Sequence, residues 1–228
     1  MSQPHDHHHH HEHHEPGSVT DDMYTADFWD NRYREKPAIW SGNPNPQLVT
    51  EAAALAPGRA LDAGCGEGAD AIWLAERGWA VTAVDVSSVA LARGAERAGQ
   101  LGGDLAGRIS WQQADLLTWE PEPQRFDLVS AQFLQLPASL RGPLFTRLAG
   151  GVAVGGTLLV VGHSVADLRT TVSRPQYPEI FYSAAEVAGL LDPSHWTVRV
   201  AEARPRQVRD QDGREVTIYD EVMTAVRE

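Results

Sequence analysis

The chain has 228 residues, a formal net charge of −12 and an isoelectric point near 5.2. Its length suits one domain with a full core, and 42% hydrophobic with 22% charged residues is an ordinary globular balance. The acidity argues against nucleic acid as a partner, which needs clustered Lys and Arg. No apolar run approaches the roughly 20 residues of a membrane span, and no signal-peptide order precedes the fold. A single cysteine, Cys65, leaves no intrachain disulfide and fits a reducing, cytoplasmic compartment.

Residues 1–20 hold His5, His7 to His11, His13 and His14 among Asp6, Glu12 and Glu15. Such a polar stretch buries no apolar area and is expected to be disordered. Imidazoles with nearby carboxylates suit Ni, Zn or Cu, which makes His7, His8, His9, His10 and His11 candidate metal ligands. A purification tag and an inert solvated tail are the competing readings.

Residues 21–58 read as an N-terminal helical cap. Phe28/Arg32 and Trp29/Tyr33 are four apart, so each pair shares a helical face. Trp40 to Pro46 is a loop of turn residues, and a helix from Gln47 to Ala56 ends at Pro57-Gly58.

The centre of the chain is Leu61-Asp62-Ala63-Gly64-Cys65-Gly66-Glu67-Gly68. A short strand runs into glycines that let a backbone approach a ligand, and helix 69–77 presents free N–H groups to it. About 20 residues on, Val81-Thr82-Ala83-Val84 ends on Asp85, placed to accept hydrogen bonds from a ribose diol. This is a nucleoside-binding βαβ unit. Cys65 needs only to be small there, and no His or Lys neighbours it in sequence to activate its thiol.

Further apolar runs at 126–130 and 157–162 read as strands, with helices near 88–100, 138–150 and 183–191. Trp196 to Ala201 and Val216 to Val226 form a hairpin around Asp210-Gln211-Asp212-Gly213. The fold class is therefore α/β: a doubly wound, seven-stranded, mostly parallel sheet with an antiparallel C-terminal hairpin, spanning 59–228.

Asp62 to Gly68 resembles the D-x-G-x-G-x-G motif of the class I S-adenosylmethionine (SAM) dependent methyltransferases. Gly64-x-Gly66-x-x-Ala69 also fits the looser dinucleotide fingerprint of an NAD-dependent oxidoreductase. Acids flanking the loop, Asp62 and Glu67, suit the ammonium and sulfonium of SAM and repel a pyrophosphate. The antiparallel hairpin also favours the methyltransferase. A non-catalytic SAM- or metal-binding module is the third reading.

The resemblance implies SAM as cofactor, held by Asp62, Gly64, Cys65, Gly66, Gly68, Asp85 and Val86. It implies that Asp115 meets the adenine amino group, with Leu116 lending a backbone N–H. Trp29, Tyr33 and Trp40 either pack the cap on the sheet or offer electron-rich rings to the sulfonium. Ala131 and Gln132 end the fourth strand at the topological switch point and would line the cofactor site. Phe133, His163, Arg169 and Tyr177 are the candidate acceptor-side residues, with 164–182 as the acceptor wall. His163 at a strand's carboxyl end is the candidate base or substrate contact.

Residues 25–228 are similar to the thiopurine and tellurite-resistance methyltransferase-like group. The implied activity is in-line methyl transfer to a small molecule, with a soft S, Se or Te nucleophile as one acceptor class. Ala131-Gln132-Phe133-Leu134 replaces the Asn/Asp-Pro-Pro-Tyr of the amino-methylating nucleic-acid enzymes.

Overall fold

The computed structural model describes residues 21–228. The histidine-rich segment, with its expected disorder and its candidate ligands His7 to His11, lies outside the described residues. A 3-10 turn at Asp21–Tyr24 precedes α1 (Ala26–Arg34) and α2 (Pro46–Ala52). Then follow β1 (Arg59–Ala63), α3 (Ala69–Glu76), β2 (Ala80–Asp85), α4 (Ser88–Leu101), the short α5 (Gly103–Ala106) and β3 (Ile109–Gln113). The second half runs β4 (Phe126–Gln132), α6 (Ala138–Gly150), β5 (Val152–His163), α7 (Ala184–Ala188), β6 (Trp196–Arg209) and β7 (Glu215–Arg227).

The strands make one seven-stranded sheet in the order β3-β2-β1-β4-β5-β7-β6, with β1 to β5 parallel and β7 antiparallel to both neighbours. The expected fold class is borne out. Successive side chains of a strand face opposite sides. Leu61, Val129, Leu158 and Val160 accordingly pack with Phe145 and Leu148 on one side. Ala60, Leu128, Leu159 and Val161 pack with Leu48, Leu74 and Trp79 on the other. Both faces are covered, as a parallel sheet requires.

Two helices are shorter than their sequence pattern. The expected helix 47–56 stops at Ala52, because Pro57 disfavours helical backbone at Ala56, and Leu55 N–H bonds back only three residues, to Ala52 O. The expected helix 183–191 starts with a Ser183–Glu186 capping box, and its end likewise tightens into three-residue bonds from Leu190 to Val187 and Leu191 to Ala188.

The hairpin overhangs its neighbour. β5 pairs with β7 only from Thr157 to His163, whereas β6 and β7 continue together to Arg209 and Glu215. Segment 164–182 lies against the overhang: Tyr219 N–H donates to Asp167 Oδ1 at 2.9 Å and Thr171 Oγ1 to Asp210 Oδ2 at 2.6 Å.

Candidate functional site: a carboxylate-lined glycine loop

The loop after β1 is fixed by its neighbour strand. Gly64 and Cys65 N–H groups both donate to Val84 O, and Gly66 N–H donates to Asp85 Oδ2 at 2.8 Å. Gly64, Gly66 and Gly68 all take left-handed backbone. At Gly66 a Cβ would also come within 2.9 Å of Tyr33 Oη, and at Gly68 it would run into the Trp111 ring. The loop is thus held between the cap and β3. Cys65 is buried, and that burial, reinforced by Asp62 and Asp85, pushes its thiol up; this is no activated nucleophile.

Three carboxylates surround the loop. Asp62 is buried; it accepts from Ala71 N–H, while its Oδ2 has no partner. Burial and the charges of Asp70 and Asp85 push Asp62 well above the ordinary carboxylate range. Burial raises Asp70 to about 6 against the Asn45 N–H that it accepts at 2.6 Å. Burial also raises Asp85, opposed by the N–H groups of Ser87, Gly66 and Val86. A buried acceptor without a donor is costly, and like charges compound the cost. A cation relieves both, whereas a pyrophosphate aggravates them. The chemistry of these residues fits SAM, whose ammonium Asp62 and Asp70 would neutralise and whose ribose Asp85 would bind.

Glu67 departs from its expected part beside the sulfonium. Its Oε2 accepts the N–H groups of Ile39 and Trp40, and its Oε1 accepts Arg93 Nη1 at 3.0 Å. Arg93 Nη2 donates in turn to Tyr33 O at 2.6 Å. Glu67 therefore fastens the cap to the loop.

The cap is docked on the elements that shape the site. Asp30 accepts Ser87 Oγ, Ser88 Oγ and Val89 N–H at the start of α4. Burial opposes its ionisation, but those bonds and Arg34 bring Asp30 below its ordinary value. Tyr33 is buried beside Asp85 and accepts Trp40 Nε1–H at 3.0 Å; burial and that charge push its phenol up. Trp29 packs on Tyr33 with centroids 6.1 Å apart and carries the Arg32 guanidinium over its ring at 5.6 Å.

Asp115, expected to meet adenine, is exposed and its Oδ1 accepts Leu117 N–H at 2.8 Å, so it already caps a turn. Leu116 is buried, and Val86 O accepts Gln113 Nε2–H. At the end of β4, Ala131 is wholly buried beside Ala63. Gln132 bridges to the cap, accepting from Asn45 Nδ2 and donating to Ser130 Oγ.

Of the four expected acceptor-side residues, Phe133 and His163 come together and the other two do not. Phe133 has φ 56°, which throws its ring onto His163 in a stack of 4.2 Å between centroids. Burial, then the charges of Arg174 and Arg206 against the opposing Asp220, lower His163 to about 3. Arg174 is held by the buried Asp167, and Arg206 by the buried Asp220, which faces His163 across the β5–β7 ladder. Arg169 is exposed and Tyr177 half-buried, neither tied to His163 by a hydrogen bond. Arg174 is the arginine of that segment fixed next to it. Two clefts lie elsewhere, one of about 460 Å³ at the amino ends of the strands and one of about 300 Å³ between α6 and α7. Neither touches these residues.

Residues 60–156, from β1 into β5, match the family model of a methyltransferase domain. Residues 60–156 are thus similar to a methyltransferase domain, and the chain has the class I methyltransferase fold. A stretch of 104 residues, 44% of this chain, is 32% identical to the probable thiol methyltransferase 2 of Arabidopsis thaliana and covers 45% of it. The chain spans about half or less of the length of the curated relatives it matches. A solved structure concerning conversion of a disulfide bond into a thioacetal group during echinomycin biosynthesis shares the fold at TM-score 0.70 and 24% identity, over 89% of this chain and 92% of that one. TehB from Haemophilus influenzae shares it at TM-score 0.64 and 18% identity, over 89% and 67%.

Around this site, sequence reading missed Asp30, Asn45, Asp70, Arg93 and Trp111. Asn45 had a signal, since Asn before Pro is a favoured helix start, and Asn45 does cap α2. The others show their part in the site through distant partners, Asp70 through Asn45, Asp30 through Ser87, Arg93 through Glu67 and Trp111 through Gly68. Among the described residues no group of three or more metal-ligating side chains comes together, and no helix is long and apolar enough to cross a membrane.

Proposed function

We propose that this chain transfers the methyl group of SAM to a small, soft nucleophile of the sulfur, selenium or tellurium class. The observation that carries the cofactor is the unpartnered, buried Oδ2 of Asp62 among like charges. When bound, SAM supplies an activated methyl on a sulfonium leaving group. The chain's own work is alignment, and positioning of this kind is worth on the order of 7–11 kcal/mol. The glycine loop and Asp85 fix one partner, while Phe133 and His163 wall the other. Burial, and after it the nearby arginines, keeps His163 neutral and a weak base, which suits an acceptor that ionises unaided. A thiol, with pKa about 8.5, does so to a few per cent at neutral pH. The thiol methyltransferase relative supports the same class.

The test uses the full chain with methyl-labelled SAM and a panel of thiols, selenite, tellurite, phenols and amines. Label is expected on the soft acceptors, and label confined to phenols or amines would overturn the acceptor class. Calorimetry should show SAM binding, weakened about tenfold or more in Asp62→Asn with no fall in the denaturation midpoint. Tight NADH binding with no response to SAM would overturn the cofactor.

A further inference from the structure

The two ring nitrogens of His163 are in different surroundings. Nδ1 is fully buried and has no hydrogen-bond partner, while the residue as a whole is only half-buried. Nε2 is therefore the nitrogen that meets the open side. The ring is fixed by its stack on Phe133, whose backbone is held in a left-handed conformation uncommon for an aromatic residue. The backbone of His163 is fixed as well, through its N–H donated to Gln135 Oε1 at 3.3 Å and its place opposite Asp220 in the ladder. A buried N–H without a partner is rarer and costlier than an unfilled lone pair. The neutral imidazole therefore keeps its proton on Nε2 and leaves the bare lone pair of Nδ1 inside. A nitrogen that already carries a proton cannot take one from a substrate.

We infer that His163 binds the methyl acceptor as a hydrogen-bond donor through Nε2–H and takes no proton from it. The ligand it fits carries an electron-rich atom, such as a thiolate or a carboxylate oxygen, at the mouth formed by β4 and β5. The inference rests on the methyltransferase reading for its ligand but not for its tautomer. The charged groups that act on the ring are Arg174 from segment 164–182, Arg206 from β6 and Asp220 from β7. Arg174 is paired with Asp167 and Arg206 with Asp220, and burial together with the two guanidinium groups opposes a second proton on the ring.

Gln and Asn substitutions separate the two nitrogens, because a Gln amide reaches about as far as Nε2 and an Asn amide only as far as Nδ1. With labelled SAM and thiophenol as the probe acceptor, His163→Gln should keep kcat/KM within about threefold of the wild type. His163→Asn and His163→Ala should each lose about 10- to 100-fold, the worth of one hydrogen bond to a charged group, with SAM affinity unchanged. Equal losses in all three variants would overturn the donor role in favour of a base. Nitrogen NMR of the full chain, with the His163 signal assigned by its absence from His163→Ala, gives an arm that needs no turnover. A proton on Nε2 from pH 5 to 8 is expected, and a proton on Nδ1, or titration within that range, would overturn the inference. If thiophenol is not methylated by the wild type, the acceptor class falls and the tautomer measurement still decides this one.

Discussion

At the cofactor end, Asp62 and Asp85 accept from backbone N–H groups in or just after their own βαβ unit, those of Ala71, Gly66 and Ser87. At the acceptor end, Asp167 and Asp220 are held by the arginine side chains Arg174 and Arg206, and Asp220 also by Gln47 Nε2 from 173 positions away. The first region leaves carboxylates under-neutralised and waiting for a cation. The second neutralises its carboxylates within the fold and spends them on tying a long segment to an overhanging hairpin. One arrangement serves binding at a cost to stability, and the other serves stability around a binding wall.

The largest effect should separate the two at Asp167. Asp167→Ala strands the mostly buried Arg174 and frees Tyr219 N–H, so urea denaturation should show a loss of about 3–5 kcal/mol. A loss under about 1 kcal/mol would mean that the ion pair does not hold the segment. The next test is pH. Asp70 has its folded-state value raised from 3.8 to about 6, so its contribution to folding is fully present below 3.8 and is lost as pH rises through 6. A bound cation favours the ionised form, so SAM affinity should rise with pH between about 5 and 7 as protons are released, then level off. Calorimetry in buffers of different ionisation enthalpy reads those protons directly; flat affinity across that window would remove the carboxylate cluster from cofactor binding. The smallest effect is at the cap. Asp30→Ala should cost about 1–2 kcal/mol through the lost bonds at the start of α4, with the methyl-acceptor profile unchanged.

The same contrast explains what the sequence discloses. The glycine loop, Asp85 and the antiparallel hairpin are legible because each is a short run whose chemistry depends on residues nearby in the chain. Glycines with left-handed backbone and a strand ending on an acid announce themselves at fixed spacing. Glu67 misleads for the opposite reason: its spacing fits the motif, but its partners Arg93, Ile39 and Trp40 lie 26 to 28 positions away. Arg169 and Tyr177 were equally plausible members of an irregular segment, and nothing local distinguishes them from Arg174. What singles out Arg174 is the buried Asp167, visible only once the segment has folded against β7. The helix ends at Ala52 and Ala188 differ from the pattern because side-chain periodicity does not register where backbone bonds shorten.

The Glu67 carboxylate has one more consequence. It sits between glycines of the cofactor loop and accepts the amide hydrogens of Ile39 and Trp40, so a ligand that quiets the loop must also quiet those two amides. Coupling free energies are reciprocal. Deuterium exchange at Ile39 and Trp40 should therefore slow as SAM arrives, and any partner that grips the exposed Trp40 face and alters those amides will change how tightly SAM binds.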